Sequence, residues 1–80
     1  MKIQILGTGC SKCNELMSLT VKAVSELGLD VELEKVSDIN EIVAFGIMTI
    51  PALVVDGKVV VRGNVPKLND LKEIIKKEKP

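Results

Sequence analysis

The chain has 80 residues, 46% of them hydrophobic, and its eleven basic and eleven acidic side chains cancel. That length sets one small domain, residues 1–80, whose core must be used efficiently, since folding at this size buries only about 60–65% of the unfolded chain's surface. A neutral chain with a single aromatic residue, Phe45, has neither the electrostatic footprint nor the stacking platform of a nucleic-acid binder.

Lys2 to Leu6 is rich in Ile and Leu, stops at Gly7 and reads as a strand. It is too short and too interrupted to be an export signal. No later run approaches the roughly 18 apolar residues of a membrane span, so no membrane is expected and the cytoplasm is the expected compartment. From Ser11 the period changes: Leu16, Met17, Thr20, Val21, Ala23, Val24 and Leu27 recur at helical steps, and Gly28 stands where a left-handed cap belongs. Val31 and Leu33 alternate with Glu32 and Glu34 in a half-buried strand ending near Val36. Asp38, with Glu41 three residues on, predicts a capping box opening a short helix. Ile39, Ile42 and Val43 are its expected apolar face and Gly46 its end.

Ala52-Leu53-Val54-Val55 is a continuous apolar run, as in a strand covered on both faces. Asp56-Gly57 is a two-residue hairpin signal, returning through Lys58-Val59-Val60-Val61-Arg62. After Gly63-Asn64 a last helix is predicted from about Lys67 to Glu78, with Leu68, Leu71, Ile74 and Ile75 on one side. Its basic end, Lys76, Lys77 and Lys79, suits a helix C-terminus. The order βαβαββα describes an α/β fold: a mixed four-stranded sheet with helices on both faces. Lys58 and Arg62 flank the terminal strand, charges that discourage edge pairing, so a monomer is expected.

The chemistry concentrates in Gly7-Thr8-Gly9-Cys10-Ser11-Lys12-Cys13, which holds both cysteines of the chain. A thiol attacks a disulfide as thiolate, and an unperturbed cysteine, with pKa near ~8.5, is mostly protonated at neutral pH. A helix beginning at Ser11 would set Cys10 among unpaired N–H groups at the positive end of the dipole. Lys12 adds a neighbouring cation that favours the same anion. Gly7 and Gly9 are expected to turn the backbone from strand to helix. Cys13, one turn in, can reach the Cys10 sulfur, giving a nucleophile and a resolving thiol. The competing reading is a soft-metal module, holding Cu(I) on two thiolates or zinc between two chains; structural zinc wants four Cys or His ligands, and this chain has two Cys and no His. No resident metal or other cofactor is expected under the first reading.

With Thr49-Ile50-Pro51 ahead of the third strand, the pattern resembles the thioredoxin superfamily, in particular its small single-domain thioredoxin-like and glutaredoxin-like redox-active disulfide proteins of archaea and bacteria. The likeness spans the chain. It implies a thioredoxin-like fold and a thiol–disulfide oxidoreductase working through a Cys10–Cys13 redox disulfide, with Cys10 as nucleophile and Cys13 as resolving residue. It further implies a cis Ile50–Pro51 bond, substrate binding at Thr49, Ile50 and Pro51, protein disulfides as substrates and an electron donor of the thioredoxin-reductase kind. No Trp precedes Cys10 and no Pro separates the cysteines, unlike many thioredoxins, and Gln4 stands where thioredoxins carry a buried acid. Arg62-Gly63-Asn64 replaces the Gly-Gly and acids of glutaredoxins, which leaves glutathione binding open. A shorter likeness, to heavy-metal-associated domains, covers only the thiol loop: Thr8 stands where those have Met, and they end in a strand rather than a helix.

Overall fold

The computed structural model describes residues 1–78. In chain order the elements are β1 (Lys2–Leu6), α1 (Ser11–Leu27), β2 (Glu32–Val36), α2 (Ile39–Ala44), β3 (Ala52–Val55), β4 (Lys58–Arg62) and α3 (Leu68–Glu78). This is the βαβαββα order expected. Lys79 of the basic tail lies outside the described residues.

The strands form one sheet in the order β2-β1-β3-β4. β1 runs parallel to β2 and antiparallel to β3, and β3 is antiparallel to β4. β1 and β3 are the inner strands, which accounts for their composition: every side chain of β3 is buried. Two layers cover the sheet. Ile3, Ile5, Leu53, Val55 and Val61 face α1 and α3, whose Leu16, Ala23, Val24, Leu71 and Ile75 complete the larger core. On the opposite face Leu6, Val36, Ala52 and Val54 meet Ile42 of α2 and Ile47 of the loop after it.

The buried stripe of α1 is Cys13, Leu16, Thr20, Ala23 and Val24. Val21, expected on that stripe, is 46% exposed: one residue after Thr20, it is turned about 100° away from the buried stripe. Thr20 is the buried polar member, and its hydroxyl donates to the Leu16 carbonyl at 2.7 Å, so it costs the core no unpaired group. The helix closes in a Schellman-type cap, Leu29 N–H donating to the Val24 carbonyl and Gly28 N–H to that of Ser25.

α2 departs further from expectation. Only Ile42 is buried, while Ile39 and Val43 are 58% and 56% exposed. A helix of six residues has fewer than two turns and can seat one side chain firmly. The Asp38 carboxylate caps it by accepting from Asn40 N–H at 2.9 Å rather than from Glu41, so the predicted capping box is a simple N-cap. The hairpin is as expected, with φ of 49° at Asp56 and 83° at Gly57, the pair of positive values a type I′ turn requires. β4 carries a bulge: Leu53 pairs with Val61 and Val54 with Val59, leaving Val60 as an extra residue.

Candidate functional site

Leu6, the last residue of β1, pairs with Ala52, the first of β3. One rung of the inner ladder therefore brings the loop after β1 and the segment before β3 to the same end of the sheet. The first carries Cys10, Lys12 and Cys13; the second is Thr49-Ile50-Pro51. Residues some forty positions apart in sequence share that end because β1 and β3 are antiparallel neighbours.

The chain leaves β1 through Gly7 and Thr8 and turns at Gly9, whose φ of +90° is in the region that only glycine occupies without strain. Cys10 follows in extended conformation as the N-cap of α1, its carbonyl accepting from Asn14 N–H at 3.0 Å. Its Sγ takes the place of the usual capping oxygen and accepts from Cys13 N–H at 3.2 Å. An N–H that donates to sulfur favours a charged thiolate there over a neutral thiol, and the positive end of the helix acts in the same sense. The two sulfurs are bonded to each other, with Cα atoms 5.0 Å apart, within the usual span of a disulfide. Their environments differ: Cys10 is exposed, whereas Cys13 is 2% exposed and faces inward from the first turn of α1. Of the two residues, Cys10 is the one open to solvent.

Lys12 lies on the first turn of α1 with an exposed side chain and no ion pair among the described residues. Thr49 is exposed, Ile50 half-buried and Pro51 buried, and the Ile50–Pro51 peptide is cis. The Pro51 carbonyl accepts from Gly63 N–H at 2.8 Å. Gly63 also backs Thr49: a Cβ at position 63 would stand 3.1 Å from Thr49 Oγ1 and 3.3 Å from its Cβ. In the sequence Gly63 reads as part of the break after β4 and of the Arg62-Gly63-Asn64 run that replaces the glutaredoxin Gly-Gly. Nothing local reveals that the chain folds back onto Thr49 there.

Gln4 is half-buried on the α2 side of β1, and its amide Nε2 donates to Glu34 Oε1 at 3.0 Å. Together with Lys2, whose Nζ is 3.6 Å from Glu34 Oε2, it holds the Glu34 carboxyl below its usual range, the Gln4 hydrogen bond being the larger cause. The position thus offers an amide and, beside it, an exposed carboxylate kept ionised, not a buried acid able to hold a proton. Ile39, Ile42, Val43, Ile47, Met48 and Ile50 line a hollow of about 240 Å³ beside the Ile50 segment, and Met48 at its rim is 91% exposed. As for metal, the described residues bring no three His, Cys, Asp or Glu side chains together, so the thiol pair supplies two soft donors and no more.

A sequence model of the Thioredoxin domain family matches residues 1–76. Two relatives from methanogens carry the name thioredoxin. That of Methanothermobacter thermautotrophicus is 41% identical over 75 residues, covering 94% of this chain and 97% of that protein. That of Methanocaldococcus jannaschii is 43% identical over 74 residues, covering 92% of this chain and 85% of that protein.

Proposed function

The chain belongs to the Thioredoxin domain family and is a thiol–disulfide oxidoreductase with a thioredoxin-like fold; on that premise we propose that Cys10 is its nucleophile and Cys13 its resolving thiol. The observation that carries the assignment is the asymmetry of the pair: Cys10 is exposed and its Sγ caps α1 by accepting the Cys13 N–H, while Cys13 is buried.

In the reduced protein Cys10 loses its proton and the thiolate attacks one sulfur of a substrate disulfide. A Cys10–substrate disulfide forms, and the other substrate sulfur leaves as a thiolate that takes up a proton. Cys13 then gives up its proton and attacks Cys10 Sγ. The Cys10–Cys13 bond forms, the mixed disulfide breaks, and the second substrate sulfur is released and protonated. Two electrons pass from the dithiol to the substrate, and a reductase returns them.

Protein disulfides are the substrates, with Thr49, Ile50 and Pro51 at the same end of the sheet available to pair with the substrate backbone. Lys12 favours the thiolate of Cys10 by its charge. The electron donor is of the thioredoxin-reductase kind; glutathione is the alternative, separated by supplying each donor in turn. The protein works as a single domain and a monomer in the cytoplasm. A mass rising with concentration, or the protein appearing outside the cytoplasmic fraction, would contradict that placement. Among the described residues no helix is long and apolar enough to cross a membrane.

The deciding experiment is reduction of a protein disulfide by dithiothreitol with the purified protein as catalyst. Turnover is expected with the natural chain and none with Cys10→Ser, while Cys13→Ser should accumulate the mixed disulfide. Turnover surviving Cys10→Ser would overturn the nucleophile assignment. A stoichiometric metal without turnover would restore the soft-metal reading.

A further inference from the structure

We propose that Gly7 is a positioning residue for the resolving step: the side chain it lacks is the space in which Cys13 Sγ sits. The inference rests on the reading of Cys13 as the resolving thiol and names what holds that thiol in place.

Gly7 follows β1 directly, is buried, and donates its N–H to the Val36 carbonyl at 2.9 Å. Its backbone is therefore tied into the sheet beside β2. Of the six glycines in the chain, five have positive φ, and Gly7 is the one that does not. The turn into α1 is made at Gly9, so backbone conformation gives no reason for glycine at position 7, contrary to the expectation from sequence. Space does. A Cβ built on Gly7 would overlap Cys13 Sγ, stand 2.8 Å from Cys13 Cβ and lie 3.9 Å from its Cα. Neither partner can withdraw easily. Gly7 is fixed by its hydrogen bond to β2, and Cys13 by the first turn of α1.

The contact discriminates between the two redox states. In the disulfide, Cys13 Sγ is tied to Cys10 and must occupy the space over Gly7. In the dithiol it is free to rotate about the Cα–Cβ bond and leave that space. The approach to Cys13 Cβ is common to both states. A methyl group at position 7 therefore opposes the oxidised form more than the reduced one. It also opposes the step in which Cys13 Sγ attacks Cys10 Sγ, since that step brings the sulfur back over residue 7.

Gly7→Ala should lower the equilibrium constant for closing the Cys10–Cys13 disulfide, measured against a thiol redox buffer, by about tenfold. This corresponds to a reduction potential about 30 mV more oxidising. Resolution is read separately by loading Cys10 as a mixed disulfide with thionitrobenzoate and following its release by absorbance. Release should slow at least as much, while alkylation of Cys10 in the reduced protein stays within about twofold of the natural chain, because Gly7 touches Cys13 and not Cys10. An unchanged potential and release rate would overturn the proposal. So would an alkylation rate that falls as far as release does, since that would mean the whole loop had moved.

If Gly7→Ala does not fold in the natural background, the cost is read by thermal unfolding in a Cys13→Ala background, which removes the sulfur and keeps the Cβ. A smaller loss there supports the sulfur-seating role, and an equal loss removes it. The natural chain is the control for the underlying reading. If it does not release thionitrobenzoate, the resolving role of Cys13 has failed, and the stability cycle still reports whether residue 7 and Cys13 compete for the same space.

Discussion

The two faces of the sheet are built to different standards. On the α1/α3 face a helix of 17 residues and another of 11 form with the sheet a core of ten buried residues. On the α2 face a six-residue helix and a loop form with the sheet a core of six, leaving Ile39, Val43 and Met48 exposed. The first face concentrates the apolar burial that holds so small a chain together. The second is thin, and the hollow beside Ile50 opens on it. The thiols belong to the thick side, since α1 both presents Cys10 and anchors itself through Leu16, Ala23 and Val24. The segment ahead of β3 belongs to the thin side. The thiol pair thus stands on the densely packed side, and the Thr49–Pro51 segment stands where packing is lightest.

The sharpest way to break this contrast is to truncate one core residue on each face. Leu71→Ala removes a fully buried side chain between α3 and the sheet and should cost about 2–5 kcal/mol. For a chain of this size about 1 kcal/mol moves Tm by ~4–8 °C, so a fall of at least ~8 °C is expected in thermal unfolding. Ile42→Ala, on α2, should cost about 2 kcal/mol, at the low end of the same range, because so short a helix can settle into the space left. A larger loss for Ile42→Ala than for Leu71→Ala would contradict the ranking of the faces.

Next in size is the helix that makes the thin face. Asp38→Ala removes the carboxylate that caps α2 and should lower stability by about 1 kcal/mol. The denaturant midpoint should fall at unchanged slope. If the slope changes as well, the thin face unfolds apart from the rest.

The smallest effect concerns charge on the same side. The Glu34 carboxyl, held low first by Gln4 and then by Lys2, has a folded pKa below its ordinary 4.5. A depressed carboxyl contributes stability above the unfolded pKa and loses it as pH falls through the folded value. Glu34→Gln should therefore be slightly less stable than the natural chain near neutral pH and equal to it well below pH 4.5. The side chain is exposed, so the difference is small and shrinks further with salt. Urea midpoints that differ equally at both pH values would assign the effect to packing rather than charge.

Much of the architecture was legible because local signals and global fold agree. The Ile/Leu run of β1, the period of α1 and the Asp56-Gly57 turn each specify their element, and the spacing of Cys10 and Cys13 specifies a pair at a helix mouth. What was not legible depends on neighbours. Val59-Val60-Val61 contains nothing that marks a bulge; Val60 becomes the extra residue only when β4 is laid against β3. Val21 has the right period for the stripe of α1 but stands outside it, 46% exposed. Ile39, Ile42 and Val43 share one apolar face by their helical spacing, but a helix as short as α2 buries only Ile42. Gly7 reads in the sequence like Gly9, as a turn residue, and the conformation and the position of Cys13 separate the two.

The hairpin turn has a practical meaning. β1 and β3 deliver the thiols and the Thr49–Pro51 segment to one end of the sheet, so Asp56-Gly57, just past the far end of β3, lies at the other. Five residues of β1 span roughly 17 Å, which separates the turn from the place where electrons enter and leave. Asp56 Oδ1 receives the Lys2 N–H at 2.8 Å there, so this pole is tied down independently of the redox state. A molecule immobilised on an electrode through the tip of this hairpin would present its thiols to the solution, with the sheet lying between the wire and the working sulfur.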